Sequence, residues 1–248
     1  GYKTISHLIL QGGNLDSMHH SLCEVLKNPA CNLKFLSLGS CSTAAQKWDD
    51  FFPVLKVNQS LIFLDLTDNS LLDKSAKLLC NIWKEPKCIL QRVSLWSCNI
   101  TNAGCHYLSK MLKQTLSLKH LDLGLNRIGT KGAKFLCEAL KNPKSKLKSL
   151  WLCGCSITPL NCQDFSETLR SNKSLNTLDL SQNVLGTDAI KTFCEALKLQ
   201  ICPLQMLRLK FDEAKPSIQN LIQEMKVSHP QLRISSDQVD LKNPPLPH

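Results

Sequence analysis

The sequence predicts an α/β solenoid, with a parallel inner sheet built from one short strand per repeat and a row of helices outside it. Three observations carry this. The pattern L-x-x-L-x-L-x-x-(N/C)-x-L recurs eight times along the chain. Successive copies start 28 or 29 residues apart. Between copies lies an apolar stripe with the period of a helix. Self-similarity on this length scale marks stacked supersecondary units, none of which can bury its apolar face alone.

The copies begin at Ile5, Leu33, Leu61, Leu90, Leu118, Leu147, Leu175 and Leu204. Their ninth position reads Cys41, Asn69, Cys98, Asn126, Cys155 and Asn183, so two repeat types alternate with a combined period of 57 residues. The outermost copies carry Gly13 and Asp212 there, as terminal repeats tend to depart from consensus. The L-x-L core predicts a short strand. After it, Ala133, Leu136, Cys137 and Leu140 fall at i, i+3, i+4 and i+7, one buried helical stripe, and Pro143 stops the helix. A shift of 57 finds the same stripe at Ala76, Leu79, Cys80 and Trp83 and at Ile190, Phe193, Cys194 and Leu197. In the other repeat type, Cys105, Leu108 and Leu112 are matched by Cys162, Phe165 and Leu169. A helix after every strand makes the strands parallel.

Residues 1–212 therefore read as eight repeats, the last degenerate. Residues 213–234 read as a closing cap, with Pro216 in a helix's first turn, a stripe of Ile218, Leu221, Ile222 and Met225, and a last strand at Leu232 and Ile234. Residues 235–248 lack a core pattern and read as a flexible tail.

Thirty Lys and Arg against 20 Asp and Glu give a net charge of +10, which suits acidic partners or simple solubility. No apolar run approaches the roughly 18 residues of a membrane span, and no leader is visible. The chain opens on Gly1, which reads as a piece of a longer protein.

Twelve of the 13 cysteines fall on repeat positions: Cys23, Cys80, Cys137 and Cys194; Cys41, Cys98 and Cys155; Cys105 and Cys162; Cys31, Cys88 and Cys202. Equivalent positions in same-type repeats are separated by a whole repeat, beyond the roughly 7 Å between α-carbons that a disulfide spans. Free thiols are expected, and with them a cytoplasmic home. In Cys153-Gly154-Cys155, strand alternation places Cys153 on the exposed face and Cys155 in the buried turn. No metal site is expected from this pair. The sequence holds no phosphate loop, dinucleotide fingerprint, zincin motif or nucleophile elbow, so no catalytic residue, cofactor or metal is expected. His19 and His20 read as a surface pair. The sequons at Asn58 and Asn172 are two periods apart and read as repeat consensus.

A partner would meet the concave face. Its central ladder is Ile9, Ser37, Asp65, Ser94, Asp122, Trp151, Asp179 and Arg208, flanked by Phe63, Arg92, Trp96, His120, Leu125, Gln182, Met206 and Phe211. The expected protein-binding residues are Asp65, Arg92, Trp96, His120, Asp122, Trp151, Asp179 and Arg208, since exposed tryptophan beside Arg and Asp has the make-up of a hot spot. The opposing reading packs the tryptophans against ladder neighbours. Six basic residues on this face (Lys34, Arg92, Lys119, Lys148, Arg208, Lys210) meet four acidic ones (Asp65, Asp68, Asp122, Asp179). Most of the charge excess therefore lies elsewhere, which disfavours nucleic acid on this face.

From about Ile5 to Leu209 the chain resembles the ribonuclease-inhibitor-like class of leucine-rich repeats, whose fold is a horseshoe with the sheet inside. Segments such as LCEALKNPKSKLKSLWLCGCSIT and LKHLDLGLNRIGTKGAKFLCEAL resemble the C-terminal repeats of NOD-like receptors of the pyrin-domain-containing (NLRP) subfamily. That resemblance implies a non-enzymatic, regulatory interaction domain in cytosolic innate immune or inflammasome-type signalling, or in some members an early-embryo role. It also implies a pyrin domain and an ATP-binding NACHT domain upstream, with contacts to protein partners, to that NACHT domain or to further copies. Two rivals share the fold. A ribonuclease inhibitor holds a basic enzyme, which calls for an acidic face and is opposed by +10. A scaffold of a GTPase-activating or ubiquitin-ligase system is the other; the former needs a positioned arginine that no repeat singles out.

Overall fold

The computed structural model describes residues 5–41, 43, 45–199 and 201–236. Nine three-residue strands lie among them: β1 (His7–Ile9), β2 (Phe35–Ser37), β3 (Phe63–Asp65), β4 (Arg92–Ser94), β5 (His120–Asp122), β6 (Ser149–Trp151), β7 (Thr177–Asp179), β8 (Met206–Arg208) and β9 (Arg233–Ser235). They form one sheet in chain order. Every neighbouring pair is parallel, and the register aligns repeat equivalents, as in Phe35 with Phe63, Phe63 with Arg92 and Arg92 with His120. The returning helices are α1 (His19–Lys27), α2 (Ala45–Val57), α3 (Leu72–Cys80), α4 (Asn102–Leu112), α5 (Gly129–Leu140), α6 (Cys162–Ser171), α7 (Ala189–Leu197) and α8 (Pro216–Ser228). Each packs against the next. Strands stack about 4.8 Å apart, whereas packed helices need roughly 8–10 Å. The stack must therefore curve with the sheet on its inner, concave side.

The core is what the leucine pattern predicts. Leu36, Leu64, Leu150, Leu178 and Leu207 are fully buried, as is the stripe Ala133, Leu136, Cys137 and Leu140. Each buried leucine contributes about 1.5–3 kcal/mol. The Cys/Asn alternation has a hydrogen-bonding cause. Asn126 Nδ2 donates to the carbonyls of Leu95 and Leu123, both at 2.8 Å, while its Oδ1 accepts the N–H groups of Cys98 and Ile100. Asn183 repeats this on Leu152, Leu180, Cys155 and Ile157. A thiol offers one weak donor, and Cys98 Sγ uses it on the Leu66 carbonyl at 3.1 Å. Each asparagine repeat thus latches the cysteine repeat before it. Leu72 adopts φ +66° where the copies 57 and 114 residues later have Gly129 and Gly186 at +68° and +89°, so it carries left-handed strain that glycine avoids.

The sequons read as repeat consensus are structural. Asn172 is buried, donating to the Leu140 carbonyl and accepting the N–H groups of Ser174 and Leu175. At the closing end, Pro216 starts α8, Ile218 and Met225 are buried, and β9 pairs with β8. That strand runs one residue beyond the expected cap boundary, through Ser235; of the expected tail, 237–248 lie outside the described residues.

Two expectations are corrected. Cys153 is 1% exposed rather than on the open face; it lies two residues beyond β6, and its thiol shares a hydrogen bond with Ser181. His19 is not on the surface: α1 packs on α2, and the imidazole is buried with Nε2 3.0 Å from the Lys47 carbonyl.

Nine thiols are buried and four (Cys31, Cys88, Cys162 and Cys202) half-buried, all unpaired. Burial pushes Cys80, Cys98, Cys105 and Cys137 up to about 12, so they carry no thiolate at neutral pH. Thiol titration without reductant is expected to reach at most the four half-buried groups in native protein and all 13 after denaturation. A denatured count short by two or more would reveal disulfides and remove the argument for a reducing compartment.

Candidate interaction face

The inner face presents two side-chain columns per strand. The first strand residues, His7, Phe35, Phe63, Arg92, His120 and Ser149, align across β1 to β6. His7 stacks on Phe35 with ring centroids 5.5 Å apart, and Phe35 meets Phe63 edge-on at 4.7 Å. The Arg92 guanidinium lies 5.6 Å from the Phe63 ring and 5.8 Å from that of Trp151, two strands away. His120 adjoins Trp151 at 6.2 Å, and its Nδ1 is 2.8 Å from Ser149 Oγ. A row of π faces with a cation at its centre therefore crosses six strands. Burial, then the charges of Arg92, Lys148 and Lys119, push His120 down to about 4. Its ring is neutral at physiological pH and adds no second cation beside Arg92.

Of the eight expected binding residues, the structure gathers three: Arg92, His120 and Trp151. Trp96 is 6% exposed, a correction to the expectation of two exposed tryptophans. Its indole fills the slot left by the missing side chain of Gly124, where a β-carbon would stand 2.2 Å from Trp96 Cε3. Asp65, Asp122 and Asp179 are also buried and do not present carboxylates to a partner. Asp65 accepts from Thr67 N–H and Oγ and from Ser37 Oγ; Asp122 accepts Gly124 N–H; Asp179 accepts Ser181 N–H and Oγ. Each closes the turn after its own strand. Arg208 stands apart from the row on β8, 3.8 Å from Asp179. His7 and Phe35 belong to the row although the sequence reading did not select them; their shared register with Phe63 was the available signal.

Burial raises Asp122 to about 7, with Asp179 and Asp65 adding to the rise and the Gly124 N–H opposing it. The sign follows from linkage. The folded state holds this proton more tightly than the unfolded one. The resulting stabilisation is complete below pH 3.8, the unperturbed value, and is lost as pH rises through about 7. Asp122→Asn keeps the acceptor for Gly124 N–H, so it is expected to be more stable than the parent at pH 8, on the order of 2 kcal/mol, with the difference fading toward pH 4. Equal urea midpoints for both proteins at pH 8 would refute this.

Among the described residues no group of three His, Cys, Asp or Glu side chains is placed to hold a metal ion, and no helix is long and apolar enough to cross a membrane. Residues 116–137 and 171–194 match the family model for the Leucine Rich repeat. The chain is 40% identical over 294 residues to NACHT, LRR and PYD domains-containing protein 2 from Homo sapiens, covering 96% of this chain and 28% of that protein. It is 35% identical over 216 residues to ribonuclease inhibitor from Mus musculus, covering 87% of this chain and 47% of that protein. Among solved structures it is similar to TLR13 in its complex with ssRNA13, with a TM-score of 0.51 and 20% identity over 94% of this chain and 32% of that one, a likeness of fold alone.

These observations define a leucine-rich-repeat protein. Within that class the chain is 40 to 42% identical, over most of its own length, to three NACHT, LRR and PYD domains-containing (NLRP) proteins from Homo sapiens. It spans about a quarter of the length of the NLRP relatives it matches.

Proposed function

We propose that this repeat region is a non-catalytic, regulatory interaction domain of a cytoplasmic NOD-like receptor in innate immune, inflammasome-type signalling, an early-embryo setting being the alternative within the family. It engages its protein partner, or the NACHT domain of its own receptor, through the concave face. The observation that supports this is the row Phe35, Phe63, Arg92, Trp151 and His120, held at strand spacing on a rigid sheet. Side chains already fixed by their neighbours lose little entropy on contact, and aromatic and arginine anchors dominate interface energies.

The test is an alanine scan of a cognate complex. Phe63→Ala with Trp151→Ala is expected to weaken binding by about thirtyfold or more, corresponding to roughly 2 kcal/mol. Trp96, being buried, is unsuited to that test. Lys134→Ala and Lys191→Ala on the outer helices are expected to change affinity less than about twofold. The reverse pattern would move the contact to the convex side.

A second reading has support in the 35% identity to ribonuclease inhibitor. Charge opposes it: of the four inner carboxylates Asp65, Asp122 and Asp179 are buried, Asp68 alone is exposed, and Arg92 stands at the centre of the half-buried row, so a basic ligand meets little acidic surface. Nanomolar inhibition of a ribonuclease at physiological salt would replace the receptor reading with this one.

A further inference from the structure

Part of the charge excess missing from the inner face, three lysines without a carboxylate among them, lines one outer groove. Between α3 and α4, across the 3₁₀ turn Asn81–Lys84, opens a cavity of about 400 Å³ lined by Lys77, Lys84, Lys110, Trp83, Tyr107 and Met111, with no carboxylate in its wall. Trp83 and Met111 are buried and form an apolar floor; the lysines stand around it.

The solenoid supplies its own comparison, because the 57-residue period places three equivalent grooves in the same chain. At the position of Asn81 they have Glu24, Glu138 and Glu195; at that of Tyr107, Asp50, Asp164 and Leu221; at that of Lys110, Pro53, Glu167 and Glu224. Every other copy therefore carries at least two carboxylates. In the α5–α6 copy, Lys141 and Glu167 close an ion pair of 2.6 Å. Their equivalents between α3 and α4 are Lys84 and Lys110. Two cations share the place where the neighbouring copy has an ion pair, and among the described residues no salt bridge within 4.0 Å involves either. Glu85, next in sequence, is engaged by Lys56. Like charges sharing a groove repel, and a carboxylate brought from outside would complete the pattern.

We propose that this groove binds an acidic segment of a partner protein, with one carboxylate seated between Lys84 and Lys110 and an adjacent apolar side chain over Trp83 and Met111. Methionine adapts to varied apolar shapes. A nucleic acid would need open aromatic faces on which to stack. Here Lys77 Nζ lies over the Tyr107 ring at 5.3 Å, His106 packs against that ring at 5.6 Å, and Trp83 is buried with its N–H donated to the Leu90 carbonyl. The site is independent of the concave-face reading.

Fluorescence anisotropy tests it, with a fluorescein-labelled peptide of five glutamates around one leucine and one phenylalanine. The 248-residue chain is expected to bind it saturably at physiological salt. Lys110→Glu recreates the ion pair of the next groove, so it is expected to keep or raise the Tm while weakening the peptide about tenfold or more. Lys226→Glu, the same change in net charge on α8, is expected to alter affinity less than about twofold. No saturable binding, or equal losses in the two variants, would overturn the proposal. So would an oligothymidylate that displaces the peptide, binds more tightly and depends on Lys110.

Discussion

Asn126→Ala is expected to destabilise the chain by roughly 4 kcal/mol or more, the largest effect of any single polar substitution in the stack. Four buried backbone groups lose a partner together: the carbonyls of Leu95 and Leu123 and the N–H groups of Cys98 and Ile100. An unsatisfied buried group costs about 1–3 kcal/mol, and a whole domain is stable by only about 5–15 kcal/mol. The loss falls on the interface between two central repeats, which together with the β4–β5 pairing and the α4–α5 packing is all that joins the two halves of the solenoid. Cys98→Ala removes one thiol donor and is expected to cost about 1 kcal/mol. Urea unfolding followed by circular dichroism checks both; a loss below about 1.5 kcal/mol for Asn126→Ala would show that water or rearranged side chains satisfy the ladder.

Gly124→Ala is expected to cost about 3 kcal/mol, although a single methyl group is added. Its β-carbon would stand 2.2 and 2.3 Å from Trp96 Cε3 and Cζ3, so the indole must leave its slot and the burial of a large side chain is lost. Gly124 has no left-handed φ, so the penalty is steric and not a backbone effect. That distinction is testable. In the background of Trp96→Ala the slot is open, and Gly124→Ala is then expected to cost less than about 1 kcal/mol, leaving a coupling energy of roughly 2 kcal/mol in a double-mutant cycle. Additive losses would mean that the indole does not occupy the slot.

These two predictions mark where reading a repeat sequence succeeds and where it stops. Asn126 was legible because its role recurs: the alternation with cysteine every 28 or 29 residues shows a position whose chemistry alternates. Trp96 was misplaced because strand alternation says which face a side chain leaves from and nothing about what stands beside it. The same limit applied to Asp65, Asp122 and Asp179. Their column faces inward as expected, but each carboxylate turns back onto a backbone N–H two residues later. His7 and Phe35 were overlooked because the first-residue column was drawn only from Phe63, Arg92, His120 and Met206, while the row continues along that column to the two strands before them.

The sequence by itself determined the number and order of repeats, the parallel sheet, the leucines and helix stripes that form the core, and the burial of most cysteines. It could do so because a solenoid is nearly one-dimensional: each unit packs on its neighbours, and a period in the chain becomes a period in space. The tertiary structure alone decided which inner side chains a partner can reach and where the cations gather. Both depend on pairs of residues about one repeat apart, such as Trp96 with Gly124 and Lys84 with Lys110. Their contacts are set by side-chain volume and rotamer across two repeats, and no single period records them.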